Sequence, residues 1–180
     1  MKELEKSLQD TFAPRSVCFG CGPANRRGFK IKSFVLGDYV VADWKPKWYH
    51  HAFKDYVSGG VLSILLDCHS NWSAAYYIMK RLGLDSIPPT VTAKYTVEFL
   101  KPTPMEDYNF LSKVKNVFAF KFTKPKQEDT KLHLVARALN VYDNKAEIQT
   151  EVQVNGVVTA RATGIFVAVK SGHPAYDRWL

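Results

Sequence analysis

One segment, YVSGGVLSILLDCHSNWSAAYYIMKRLG at 56–83, limits what this chain can become. It opens on the pair Gly59 and Gly60 and runs in a helical pattern to Gly83, a natural residue just beyond a helix C-terminus. Ser58 is placed to cap its first turn. Val61, Leu62, Ile64, Leu65 and Leu66 crowd the first half, and Trp72, Ala74, Ala75, Tyr76, Ile78 and Met79 the second. A helix apolar on nearly every side cannot lie on a surface, so other elements must wrap it. Asp67 nevertheless sits inside it, with Ser63, Ser70 and Asn71 at the i−4, i+3 and i+4 positions. One narrow polar stripe therefore crosses an apolar cylinder. Burying a carboxylate is costly unless it is hydrogen-bonded or has chemistry to do.

The wrapping material is β-structure. Thr90–Leu100 alternates Val91, Ala93, Tyr95, Val97 and Phe99 against Thr92, Lys94, Thr96 and Glu98, which predicts a strand burying its odd-numbered face. Lys131–Tyr142, Ala146–Val154 and Val157–Val169 read as three further strands. Asp143-Asn144 and Asn155-Gly156 lie between them, and Asn-Gly is the strongest short hairpin signal. Earlier, Phe29–Leu36 and Tyr39–Trp44 form a predicted hairpin about Gly37-Asp38, and Lys45–Tyr56 is a loop. Residues 1–15 hold a short helix, with Leu4, Leu8 and Phe12 on one side and Pro14 ending it, expected to pack across the outside of the domain. Residues 16–170 then form a single α+β domain, an antiparallel sheet around one long central helix, and 171–180 a tail. An insertion at about 105–130 interrupts it, too long for an ordinary connection, with Tyr108, Phe118 and Phe120 interleaved with lysines.

A glycine pair opening a helix, with an acid eight positions beyond the first glycine, resembles the PaaI-type acyl-CoA thioesterases of the hotdog fold. Their usual helix entry is His-Gly-Gly followed by a Leu-x-Asp-like acid. Cys18-Phe-Gly-Cys21-Gly22-Pro-Ala-Asn25 with Gly28-Phe29, and the strand Tyr95–Phe99 running to Pro102, are also similar to that family, and the likeness spans most of 16–169. One departure stands out: Ser58 occupies the place of the usual histidine. The resemblance implies thioester hydrolysis on acyl-CoA, in a homodimer or dimer of dimers; no cofactor and no metal are expected.

Composition fits that reading. The 180 residues suffice for one domain with a real core, and the net charge of +8 is spread along the chain, compatible with a polyanionic small molecule such as coenzyme A. No recognisable nucleic-acid motif accompanies it, and no apolar run is long enough to span a membrane. MKELEKSLQDTF carries charges where a signal peptide needs its apolar core, so a cytoplasmic protein is expected. Three cysteines do not make a secreted disulfide framework.

Asp67 is the candidate general base or nucleophile, against a structural aspartate bonded to Ser63 or Asn71. The Gly59 and Gly60 amides, at a positively polarised helix N-terminus, are candidates to hold the thioester oxygen, against a tight turn forced by packing. Eight helical residues rise about 12 Å, so Gly59 and Asp67 of one chain cannot grip one carbonyl. The resemblance answers with a dimer in which the two come from different subunits. It also places Thr92 where some relatives position the water. Ser58, His51 and Asn71 are candidate substrate-binding residues, and Lys121, Lys124 and Lys126 of the insertion candidate phosphate ligands, with Lys80 and Arg81 as the fallback. His69 reads as a core or interface histidine. Cys18 and Cys21 have half the spacing of a zinc site, which Cys68, His69 or His50 would complete; free thiols packed in a turn are the default. The alternative to an enzyme is a non-catalytic hotdog protein that binds acyl-CoA or another hydrophobic ligand. A hydratase fits less well, because Trp72 stands where the Asp-x-x-x-x-His spacing associated with hotdog hydratases needs a histidine.

Overall fold

The helix α2 runs over Gly59–Leu82, as its apolar pattern demands, and Gly83 closes it in the left-handed conformation at φ 62°. The structure is a computed structural model that describes residues 6–105 and 130–177. Ser58 holds the N-cap position in extended conformation, but its hydroxyl makes no capping bond; its carbonyl instead accepts from the Leu62 amide. Leu65, Leu66, Trp72, Ala74, Ala75 and Ile78 are buried. Among the described residues, no helix is long and apolar enough to cross a membrane.

Six antiparallel strands make the sheet that covers α2: β1 (Phe34–Leu36), β2 (Tyr39–Trp44), β5 (Thr90–Phe99), β6 (Leu132–Val141), β7 (Lys145–Val154) and β8 (Val157–Ala168). Their order is β1-β2-β6-β7-β8-β5, and α2 packs against β5, β6, β7 and β8. Alternate residues of the central strands (Leu132, Leu134 and Ala136; Ala146, Ile148 and Val152; Ala160, Ala162 and Phe166) supply the core facing the helix. Register is fixed by the expected turns. Asn155 and Gly156 both adopt positive φ, 50° and 76°, the requirement of a type I′ hairpin, and Gly37 takes φ 57° between Leu36 and Tyr39.

Four local expectations change. The predicted strand at Phe29–Leu36 shortens to β1. The Phe29 and Ile31 amides bond the Phe19 and Gly20 carbonyls of the cysteine turn instead of a neighbouring strand, and Lys30 breaks the extended run at φ 52°. The loop 45–56 contains a short 3-10 turn and a two-stranded ribbon, β3 (His51–Phe53) with β4 (Tyr56–Val57). The N-terminal helix, α1 (Leu8–Phe12), is shorter than the 2–12 pattern suggests, starting from the N-cap Ser7; Leu8 and Gln9 are fully buried while Asp10 and Thr11 stay exposed. Leu4, the segment 106–129 and with it Lys121, Lys124 and Lys126 lie outside the described residues.

The fourth change concerns β5. A bulge between Thr92 and Lys94 leaves Ala93 without an opposite residue on β8 and switches the parity of the strand. Before it the even-numbered Thr90 and Thr92 meet α2; after it the odd-numbered Tyr95, Val97 and Phe99 do. The uniform alternation of the sequence puts Val91 and Ala93 on that side, yet Ala93 is exposed.

Candidate active site

The polar stripe of α2 lies against β5. Ser63, Asp67 and Asn71 recur every four residues, so they share one helix face. Opposite them, running the other way, stand Tyr95, Thr92 and Thr90. The Thr92 hydroxyl donates to Asp67 Oδ1 at 2.7 Å, a charge-assisted bond that fixes the carboxylate. Asn71 Nδ2 reaches the Thr92 oxygen at 3.4 Å, and Asn71 Oδ1 accepts from Thr90 at 2.8 Å. A directional chain therefore runs from Thr90 through Asn71 and Thr92 to Asp67. Asp67 is half-buried and Thr92 exposed, so solvent reaches this end of the chain, whereas Thr90 and Asn71 are buried. Ser63 turns its hydroxyl back to the Gly59 carbonyl at 2.9 Å. The Tyr95 phenol donates to the Ser63 carbonyl at 3.1 Å. Burial first, then the charge of Asp67 and the thiol of Cys68, hold that phenol protonated far above the usual tyrosine range.

At the other end of the stripe, the first amides of α2 have no intrahelical acceptor. Gly59 lies beneath the Phe99 ring, where a Cβ would come within 3.2 Å of it, while Gly60 is exposed. Beside them opens an apolar cavity of about 320 Å³ bounded by Phe53, Tyr56, Gly59, Leu62, Phe99 and Leu100, with Lys101 on its wall. The ribbon β3–β4 is anchored there by bonds from the Val57 amide to Thr103 and from the Met105 amide to Asp55. The Ser58 amide donates to the His50 carbonyl at 2.8 Å, tying the loop to the helix entry. His51 is exposed, its Nδ1 on the Trp48 carbonyl; it precedes the wall residues Ala52 and Phe53 without itself lining the cavity. His50 is buried, stacked 4.9 Å from Trp44, and burial lowers its pKa. Lys80 and Arg81 approach Asp38 and Asp143, at 4.0 and 2.8 Å.

His69 belongs to the core. Its Nε2 donates to the Val40 carbonyl at 3.0 Å, so its Nδ1 accepts, from the Ser33 hydroxyl at 2.8 Å. Ser33 in turn accepts from Gln9 Nε2 at 2.9 Å, and the network ties α1, the 29–33 segment, α2 and β2 together. Burial pushes the His69 pKa down to about 4. Both ring nitrogens being engaged, His69 does not complete a zinc site with Cys18 and Cys21; the sulfur beside them is that of Cys68.

Sequence reasoning missed Thr90, Tyr95 and the aromatic wall of the cavity. Thr90 and Tyr95 differ in parity, and only the bulge brings both to the helix. The wall collects Phe53, Tyr56 and Phe99 from segments far apart in the chain, and no spacing in the sequence relates them.

No family model matches the chain, and no curated protein matches it. Solved structures do. A thioesterase superfamily protein from Shewanella loihica PV-4 superposes with TM-score 0.56 at 24% identity, over 82% of this chain and 98% of that one. A phenylacetic acid degradation-related protein from Ralstonia eutropha JMP134 gives TM-score 0.56 at 15% identity, over 83% and 92%. A thioesterase from Thermus thermophilus, complexed with coenzyme A and Zn, gives TM-score 0.51 at 13% identity, over 78% and 88%. At these identities the likeness is one of fold, and the fold is the hotdog.

Proposed function

We propose that this hotdog chain is a thioester hydrolase acting on acyl-CoA, with Asp67 as the catalytic carboxylate. The observation that carries the reading is the 2.7 Å bond from Thr92 to Asp67 Oδ1, which orients a half-buried carboxylate on the one polar stripe of an apolar helix. Asp67 takes the proton of a water that attacks the thioester carbonyl, or attacks the acyl carbon itself; both need an ionised, fixed carboxylate. The amides of Gly59 and Gly60 receive the developing oxyanion at the positive end of α2. The neighbouring apolar cavity suits an acyl chain, and Lys101 on its wall suits the anionic end of the substrate. The solved thioesterase with coenzyme A bound supports this choice of thiol carrier. Released thiol, measured across a panel of acyl-CoA esters, tests the proposal. Saturable hydrolysis of at least one ester is expected, and none across short, long and aryl chains would sink it.

The second reading, a non-catalytic acyl-CoA binder, is favoured by Ser58, which stands where the resembling thioesterases have histidine. Tight binding by calorimetry without any release of thiol would establish it.

The reading requires two chains. A span of about 12 Å along one helix separates Gly59 from Asp67, so the amide and the acid that meet at one carbonyl come from different copies. The β5 strand supports such pairing. This ten-residue strand pairs with β8 on one side only, it ends the sheet among the described residues, and Phe99 and Leu100 are 56% and 47% exposed at its end. A long open edge is a template for another strand. Sedimentation velocity is expected to give a dimer, or a dimer of dimers, at micromolar concentration; a stable, well-folded monomer would refute the two-chain site.

A further inference from the structure

The sulfurs of Cys18, Cys21 and Cys68 converge: all three lie within 4.8 Å of one another, and Cys18 and Cys68 are 3.9 Å apart. Two come from the turn 18–21 and one from the middle of α2, so this is a tertiary arrangement and not a by-product of the Cys-x-x-Cys spacing. The turn is built tightly onto the helix. A Cβ at Gly20 would stand 2.3 Å from the Cys68 sulfur, and one at Gly22 would stand 2.4 Å from the Cys18 amide nitrogen and 2.5 Å from the Ser16 carbonyl. Those glycines let the first two sulfurs approach the third. A donor reaches the group as well: Trp72 Nε1 donates to the Cys21 sulfur at 3.1 Å. A donor aimed at a cysteine sulfur stabilises the charged thiolate, the form that ligates a metal.

We propose that Cys18, Cys21 and Cys68 form a three-thiolate site for a soft d10 metal ion, zinc(II) or copper(I). Metal–sulfur bonds of about 2.3 Å at tetrahedral or trigonal angles set ligand sulfurs about 3.7–4.0 Å apart, and the Cys18–Cys68 separation already meets that. The other two pairs, at most 4.8 Å apart, need to close by no more than about 1 Å. Soft sulfur donors select these ions over magnesium or calcium. Cys18 is only half-buried, which gives the ion a path in and leaves a fourth position toward solvent. Each thiol that still carries a proton loses it to solvent as the metal binds, so affinity rises with pH. An ion there pins the N-terminal turn to α2 at the residue after Asp67.

The full, untagged chain, kept reduced and anaerobic, is titrated with cobalt(II) as the spectroscopic probe for zinc. Zinc(II) and copper(I) are titrated separately against chromogenic chelators. The expected result is one equivalent of zinc or copper(I) per chain, with a sulfur-to-cobalt charge-transfer band in the near ultraviolet for the zinc arm. Cys68→Ser is expected to weaken binding at least about a hundredfold, beyond the loss seen for outer-shell partners. Cys18→Ser, at the half-exposed position, gives the same answer should the buried variant fold poorly. Absence of the band together with zinc and copper(I) affinities no better than those of the triple serine variant would overturn the proposal, as would undiminished affinity in a folded Cys18→Ser protein. Thioester turnover enters none of these readouts, so the metal site stands or falls apart from the proposed hydrolase.

Discussion

Asp67→Asn is expected to lower thioester turnover by at least about a hundredfold, the usual scale for losing a proton-transfer group. Asparagine has the same shape, and its carbonyl oxygen can still accept the Thr92 hydroxyl that now bonds Asp67 Oδ1 at 2.7 Å. What it lacks is the charge and basicity that activate water or attack carbon. The loss therefore falls on kcat, while KM and the unfolding midpoint stay near those of the parent. Thr92→Val frees the carboxylate to rotate without removing it, and a smaller loss, roughly tenfold, is expected. Thr92→Ser keeps the hydroxyl and should recover most of the rate. Parental turnover in a folded Asp67→Asn protein would leave the carboxylate a structural one and require another catalyst.

Acidification is expected to remove on the order of 3 kcal/mol of stability between pH 6.5 and 4 through His69 alone. The ring is fully buried and held neutral, so its folded pKa lies near 4, below its unfolded value of 6.5. Between those values the unfolded chain binds the extra proton and the folded one does not, so stability falls as pH falls, and this contribution levels off below the lower value. The causes are burial first, then the opposing bond to the Val40 carbonyl, then the nearby His133. Asp10, whose pKa is lowered from 3.8, acts in a separate and more acidic window. Urea midpoints at pH 7, 5.5 and 4 measure the slope. His69→Gln should flatten that part of the profile, and NMR of the ring should show it unprotonated at pH 5. A ring that titrates near 6.5 in the folded protein would contradict this account.

The α2 helix and the three closing strands are legible in the sequence because each is governed by a short-range rule: an apolar cylinder ended by glycine, alternation, and two-residue turns at Asp143-Asn144 and Asn155-Gly156. Asp67 is legible for the converse reason, as a charge breaking an apolar run. Thr92 is placed only by resemblance, since a threonine in a strand carries no signal of its own. The set of bonds that β5 makes to α2 (Thr90 to Asn71, Thr92 to Asp67 and Tyr95 to Ser63) is not legible. It depends on one unpaired residue at Ala93, and nothing in the alternation of β5 marks where its phase changes. The cysteine group is half legible. The spacing of Cys18 and Cys21 can be read from the chain, but choosing Cys68 over His69 or His50 requires knowing that His69 engages Ser33 and Val40 through both ring nitrogens.

The strand order also bears on when things happen to the chain. β6, β7 and β8 are joined by short turns and can form from neighbouring sequence, whereas β2 and β5 join that meander through pairs as distant as Val40 with Ala136 and Thr90 with Ala168. Such non-local closure is slow compared with a hairpin. During synthesis, α2 emerges before β5, β6, β7 and β8, the strands it packs against, so its 24 residues wait for the second half of the chain. The interval between translation of Leu82 and of Ala168 is the period in which the apolar faces of α2 lack the strands that later cover them, and exposed apolar surface of that kind is prone to aggregate.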